Sequence, residues 1–163
     1  MPRRPRPGLT LLELVVVLGI VALLMTLALP SFAGMLSRHR LKATAEQLAM
    51  DLGELRLMAA QRAVPLHLDV QTAAPWCYAL AVSAGCDCRV PQGCQLKTVR
   101  AREHPGITLQ EALPMRIDPQ PGASQGSVLL QSADGQQLRV AMTPLGRPKV
   151  CAPGAAVPGY PAC

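Results

Sequence analysis

The feature that most constrains this chain is an uncharged run, LVVVLGIVALLMTLAL, at residues 14–29. Apart from Thr10 and Glu13, the apolar stretch extends back to Leu9, which makes it 21 residues long. As a helix it measures about 31 Å, enough to span the hydrocarbon core of a bilayer. Ahead of it lies a leader, residues 1–8, with three arginines (Arg3, Arg4, Arg6) and three prolines. Those arginines predict a cytoplasmic N-terminal side and an exported remainder. They also supply three of the six formal net positive charges, so the basic balance says little about an anionic partner of the rest.

The apolar run meets Pro30, which lacks an N–H and clashes with the preceding turn, so a kink is expected there. A helical pattern then resumes. Leu41, Ala45, Leu48, Leu52, Leu55 and Ala59 recur at spacings of four, three, four, three and four, one apolar stripe. Arg38, Lys42, Glu46, Glu54 and Arg56 fall outside it. Val64 precedes Pro65 and is biased away from helix. One long helix is therefore expected over about 9–63. Residues 9–30 form its transmembrane part and 31–63 its amphipathic part.

From residue 64 the period changes to two. LHLDV (66–70), CYALAV (77–82), QLKTV (95–99), ITLQEAL (107–113), SVLLQS (127–132) and QLRVAM (137–142) read as strands between turn residues. Asp134-Gly135 is a hairpin signal. The stretch from Thr143 onward is rich in Pro and Gly and reads as a tail held by a disulfide. The helix stripe must be buried, and the following sheet is the partner at hand. The expected fold class is α+β: a long N-terminal helix on an antiparallel sheet, with residues 64–163 as the exported domain.

Six cysteines, Cys77, Cys86, Cys88, Cys94, Cys151 and Cys163, all lie beyond the apolar segment. That placement favours disulfides over zinc, because the paired Cys-x2-Cys knuckles of zinc ribbons are missing. Pairing is not fixed by the sequence. One guess joins Cys151 to Cys163, closing the Pro/Gly-rich tail. The histidines His39, His67 and His104 are isolated, and no hydrolase, phosphate-loop or paired-carboxylate motif occurs. No enzyme, metal or cofactor is expected.

Gly8-Leu9-Thr10-Leu11-Leu12-Glu13, the apolar helix and Pro30-Ser31-Phe32 together resemble the N-terminus of type IV pilins and type II secretion pseudopilins. The resemblance implies cleavage after Gly8 by a prepilin peptidase and N-methylation of Leu9. It also implies an acid at the fifth mature position, Glu13, that serves filament assembly, and a pilin-like fold. One departure is Leu9, where the family usually has phenylalanine. Trp76-Cys77-Tyr78, Cys86-Asp87-Cys88 and Thr143-Pro144-Leu145-Gly146-Arg147 resemble the GspH/FimT-like minor pilins, over short motifs only. The implied setting is the bacterial inner membrane, with the domain periplasmic, and then a pilus or pseudopilus whose partners are other pilins or pseudopilins. An ordinary signal peptide cut after Ala33 is the alternative reading, and it would leave Gly34 as the first residue.

Within that resemblance, DNA-capturing FimT-like proteins carry a Gly-Arg-x-Arg element. Gly146-Arg147-Pro148-Lys149 matches it in part. Arg147 and Lys149, with Arg139, are candidate phosphate contacts; lysine serves as a point charge where arginine would be a fork. Few aromatics are present, which argues against base stacking.

Overall fold

The computed structural model describes residues 10–91, 93–120, 124–154 and 157–163, with backbone only for 27–31. The leader and Leu9 lie outside the described residues. The chain divides into two units with the boundary between Leu36 and Ser37.

Helix α1, Leu11–Arg62, crosses that boundary. Its start is set by Thr10, whose side-chain oxygen accepts from the Glu13 backbone N–H at 3.2 Å. Helical backbone continues through residue 30, so Pro30 does not end it. The helix stops where Ala63 turns to a positive φ of 54°, one residue before Val64-Pro65.

In the second unit, eight strands follow: β1 (Leu66–Gln71), β2 (Cys77–Ala81), β3 (Gln95–Arg100), β4 (Ile107–Ala112), β5 (Met115–Ile117), β6 (Ser127–Ser132), β7 (Gln137–Met142) and β8 (Pro148–Cys151). They form two antiparallel sheets. Sheet A has the order β3-β2-β1-β5 and sheet B the order β4-β6-β7-β8. The fold is α+β, as the pattern requires, but with two sheets where one was expected. The division occurs where the chain changes sheet. Between β4 and β5 stands Pro114, which has no N–H to extend a ladder. On the return, Gly126 has φ +145°, and a Cβ there would lie 2.3 Å from Met115 Cγ, so no larger residue fits.

All six stripe residues, Leu41 to Ala59, are at most 1% exposed. They share one core with Leu66 and Leu68 of β1, Tyr78 and Leu80 of β2, Val128 and Leu130 of β6, and Leu138 and Val140 of β7. Each of these strands alternates, so its other face points away from the helix. On sheet A that outer face is covered by the 82–94 loop. Two disulfides staple it, Cys77–Cys88 and Cys86–Cys94, and Asp69 accepts from the backbone N–H groups of Gly85 and Cys86.

The segment after Thr143 is more structured than its composition implied. Residues 148–151 form β8, an edge strand that begins with Pro148, where a missing donor costs nothing. Cys151 pairs with Cys163. The tail then docks on the helix. Val157 enters the core, Lys42 donates to the Pro158 carbonyl, and the Tyr160 hydroxyl donates to Glu46 at 2.6 Å. Partial burial, then that carboxylate, push the Tyr160 hydroxyl up to about 12.

Candidate functional site

The N-terminal unit presents a site built from one turn of helix and the sleeve that follows. Thr10-x-x-Glu13 has the spacing of a capping box, a signal the acid-in-an-apolar-run reading had passed over. Half of that box forms: the Glu13 N–H reaches Thr10. The Glu13 side chain is exposed, and its charge lies in the first turn, where the helix dipole favours an anion. Every residue from Leu11 to Thr26 is exposed, with Leu11 at 81% and Leu12 at 76%. An apolar sleeve of this kind, exposed all round, calls for lipid or other apolar helices around it. Among the described residues, no helix is long and apolar enough to cross a membrane. Side chains are described to Thr26 and again from Phe32, and Leu27 to Leu29, which complete the expected span, lie outside them. Gly8 and Leu9, the expected cleavage and methylation site, also lie outside.

In the domain, the three candidate DNA contacts are separated by their surroundings. Arg139 lies on β7, two strands from Glu111 of β4. A bulge in β4 inserts Gln110 and sets Glu111 opposite Leu129, on the face that carries Arg139. The two charges approach to 3.7 Å. Arg147 and Lys149 are exposed. Arg147 closes a turn in which Gly146, at φ +69°, packs against the Arg56 guanidinium; a Cβ there would sit 3.3 Å from Arg56 Nε. Arg56 is thus a cation beside this turn that its position in the helix had not signalled.

Sequence reasoning missed the domain's buried polar centre. Asp51 is 3% exposed on the core side of the helix. It accepts from the Tyr78 hydroxyl at 2.8 Å and the Lys97 ammonium at 2.7 Å, so it ties α1 to β2 and β3. Burial, then the Asp51 charge, drive the Tyr78 hydroxyl well above its ordinary value, and the hydrogen bond to Asp51 raises Lys97. Asp51 lies three residues after Leu48 and four before Leu55, so its place on the buried stripe could have been counted.

Next to it, Trp76 donates to the Ile107 carbonyl and its ring lies against His104, centroids 5.9 Å apart. Thr44 donates its hydroxyl to Arg40 O, which leaves Thr44 Oγ1 to accept from His104 Nδ1 at 3.0 Å. His104 Nε2 is buried with no hydrogen-bond partner among the described residues. This network assigns the neutral Nδ1–H tautomer, since a proton on Nε2 would be a buried donor without an acceptor. Burial accordingly lowers the His104 pKa from about 6.5, against weaker upward pulls from Glu103 and Asp51. The unfolded chain takes up this proton near pH 6.5, and the folded chain resists it to lower pH. The contribution is full above pH 6.5 and is lost as pH falls from there through the folded value. The melting temperature should therefore drop between pH 7 and about 5.5, less so in His104→Phe. An equal slope in wild type and variant would assign the drop to other groups.

The six cysteines are all in disulfides. Among the described residues, no group of His, Cys, Asp and Glu is placed to hold a metal ion.

Residues 3–29 match the model of the prokaryotic N-terminal methylation motif. That motif belongs with structural, filament-forming subunits, and the match supports a protein of the type IV pilin or pseudopilin kind, processed by a prepilin peptidase. The α+β architecture, a long N-terminal helix packed on antiparallel sheets, agrees with a pilin fold. Comparison with characterised proteins and with solved structures gives no match.

Proposed function

We propose that this chain is a non-enzymatic minor pilin or H-type pseudopilin of the GspH/FimT-like subgroup. In this reading it is inserted in the inner membrane, cut after Gly8, methylated on Leu9 and added to a type IV pilus or type II secretion pseudopilus. Residues 1–8 are the leader, 9–30 the membrane and polymerisation helix, and 31–63 the amphipathic half. Residues 64–163 are the periplasmic domain. The observation that carries the reading is the methylation motif at 3–29, joined to an apolar helix exposed all round.

Glu13 acts in this reading as an assembly residue. A carboxylate near the bilayer core costs about 3 kcal/mol or more unless it is paired. Cleavage after Gly8 creates the partner, the α-amino group of Leu9, and methylation leaves its charge in place. Pairing Glu13 with the Leu9 ammonium of a neighbour relieves both charges and fixes the axial register of the two helices. Pro30 loosens the helix between its membrane and amphipathic parts. In cells without prepilin peptidase the chain should stay uncut in the membrane fraction and be missing from sheared filaments. Its appearance in filaments in uncut form would overturn the reading.

A second reading keeps the same scaffold and adds DNA capture by the tail. It rests on Arg147 and Lys149, exposed beside Arg56, while Arg139 is engaged with Glu111. Duplex binding should then fall steeply with salt and be lost in R147A/K149A. Binding that survives in the variant would remove this reading and leave the first intact.

A further inference from the structure

One concave feature of the domain is a cavity of about 390 Å³ at one end of sheet A. It is lined by the Cys77–Cys88 disulfide, Pro75 and Trp76, and by three arginines, Arg89, Arg100 and Arg102. The fold brings these together from separate places. Arg100 ends β3 directly opposite Cys77 of β2, so the two side chains share the outer face of the sheet. Arg102 follows in the short 3-10 helix Ala101–Glu103, which is fixed by the Ala101 N–H donating to the Trp76 carbonyl. Arg89 comes from the stapled loop one residue after Cys88 and donates to the Ala73 carbonyl at 3.2 Å.

These arginines differ from other cations on the two sheets. Lys97, Arg116 and Arg139 each face a carboxylate, at 2.7, 3.0 and 3.7 Å. Among the described residues, none of Arg89, Arg100 and Arg102 makes an ion pair. The nearby acids are used by backbone. Asp87 accepts from the Arg89 N–H and Glu103 from the Arg100 N–H. Three arginines thus line a largely apolar hollow; Arg89 gives one guanidinium N–H to Ala73, and no carboxylate among the described residues pairs with any of the three. The hollow also adjoins a sheet edge. In the order β3-β2-β1-β5, strand β3 has a neighbour on one side only.

We propose that this cavity and the β3 edge form a docking site for an extended acidic peptide segment of another protein. The segment adds to the edge of β3, places an apolar side chain against the Cys77–Cys88 disulfide and Pro75, and gives its carboxylates to Arg89, Arg100 and Arg102. Charge complementarity selects the acid. The concave, partly apolar lining selects a peptide over duplex DNA, whose phosphates ride on a convex rod and bring no apolar side chain. The site uses no residue of the N-terminal unit, so the outcome of its test is separate from the filament reading.

The test uses the full-length oxidised chain in detergent micelles and a fluorescein-labelled hexapeptide of alternating glutamate and valine, read by anisotropy. An isosteric glutamine–valine peptide and a 12-base-pair duplex serve as comparisons. The acidic peptide should bind at least tenfold more tightly than the neutral one. R89A/R102A should weaken it at least tenfold, and R147A/K149A should leave it unchanged. Both altered arginines are exposed, so the fold should survive. Independently of any variant, the side-chain Nε–H signals of Arg89, Arg100 and Arg102 in the wild type should move as the acidic peptide is added. Equal binding of acidic and neutral peptides would overturn the proposal. So would unmoved arginine signals, or a duplex that displaces the peptide and loses affinity with the same arginines.

Discussion

Replacing Glu13 with glutamine should leave leader removal intact and abolish incorporation into the filament. The choice of residue separates the proposed assembly role of the side chain from the helix-start contact made at the same position. Glutamine serves in a capping box as glutamate does, and the Thr10 bond uses the backbone N–H of residue 13, which any residue retains. Helix initiation is therefore spared. In the proposed pairing, what is lost is the charge that offsets the Leu9 ammonium of a neighbour. An unpaired ammonium carried toward the bilayer core costs on the order of 3 kcal/mol, which at equilibrium is a more than hundredfold loss of incorporation. Quantifying the chain in sheared filaments, with total processed chain as the reference, gives the answer. Wild-type incorporation of Glu13→Gln would mean that the acid is not needed for assembly and serves at most the helix dipole.

The second large effect is in the domain. Asp51→Ala should lower stability by about 3 kcal/mol, or about 10 °C in melting temperature for a domain of this size. The loss comes chiefly from the Tyr78 hydroxyl, since Tyr78 is 2% exposed and would be left without its acceptor. Lys97 contributes less. Its side chain is 42% exposed, so water screens the ion pair while it lasts and solvates the ammonium when it is gone. The same argument predicts partial recovery in Asp51→Leu combined with Tyr78→Phe, where both buried partners become apolar. Thermal unfolding of the oxidised chain distinguishes the cases. A loss under 1 kcal/mol in Asp51→Ala would show that Tyr78 finds another acceptor.

The strongest periodicities were legible. The stripe from Leu41 to Ala59 is buried in full, because burial of a helix face leaves a spacing that no other structure mimics. Six strands lie within a residue of where alternation places them. Two were missed for different reasons. Met115–Ile117 is three residues long and follows Pro114, too short for a period to show. Pro148–Cys151 starts with a proline, which reads as loop until the strand is known to be an edge. The two-sheet division was hidden because it depends on a close approach, Gly126 against Met115, between residues eleven apart.

The sites follow the same logic. Glu13 stands out because an acid in an apolar run is a local contradiction. Asp51 is a polar residue on an apolar stripe, and its partners Tyr78 and Lys97 are 27 and 46 residues away. The three arginines of the cavity are gathered by a disulfide and a strand pairing, neither of which sequence spacing determines. Cys151–Cys163 is the one pairing the sequence suggested, as the link that closes the Pro/Gly-rich tail.

The filament account rests on a cut that creates a charged partner for Glu13, so the mature N-terminus is its most direct test. Intact-mass and N-terminal peptide analysis of the protein from its native membrane should give a chain that begins at Leu9 and carries one added methyl group on its α-amine. A chain that begins at Gly34, or one that retains the leader with Gly8 joined to Leu9, would contradict it.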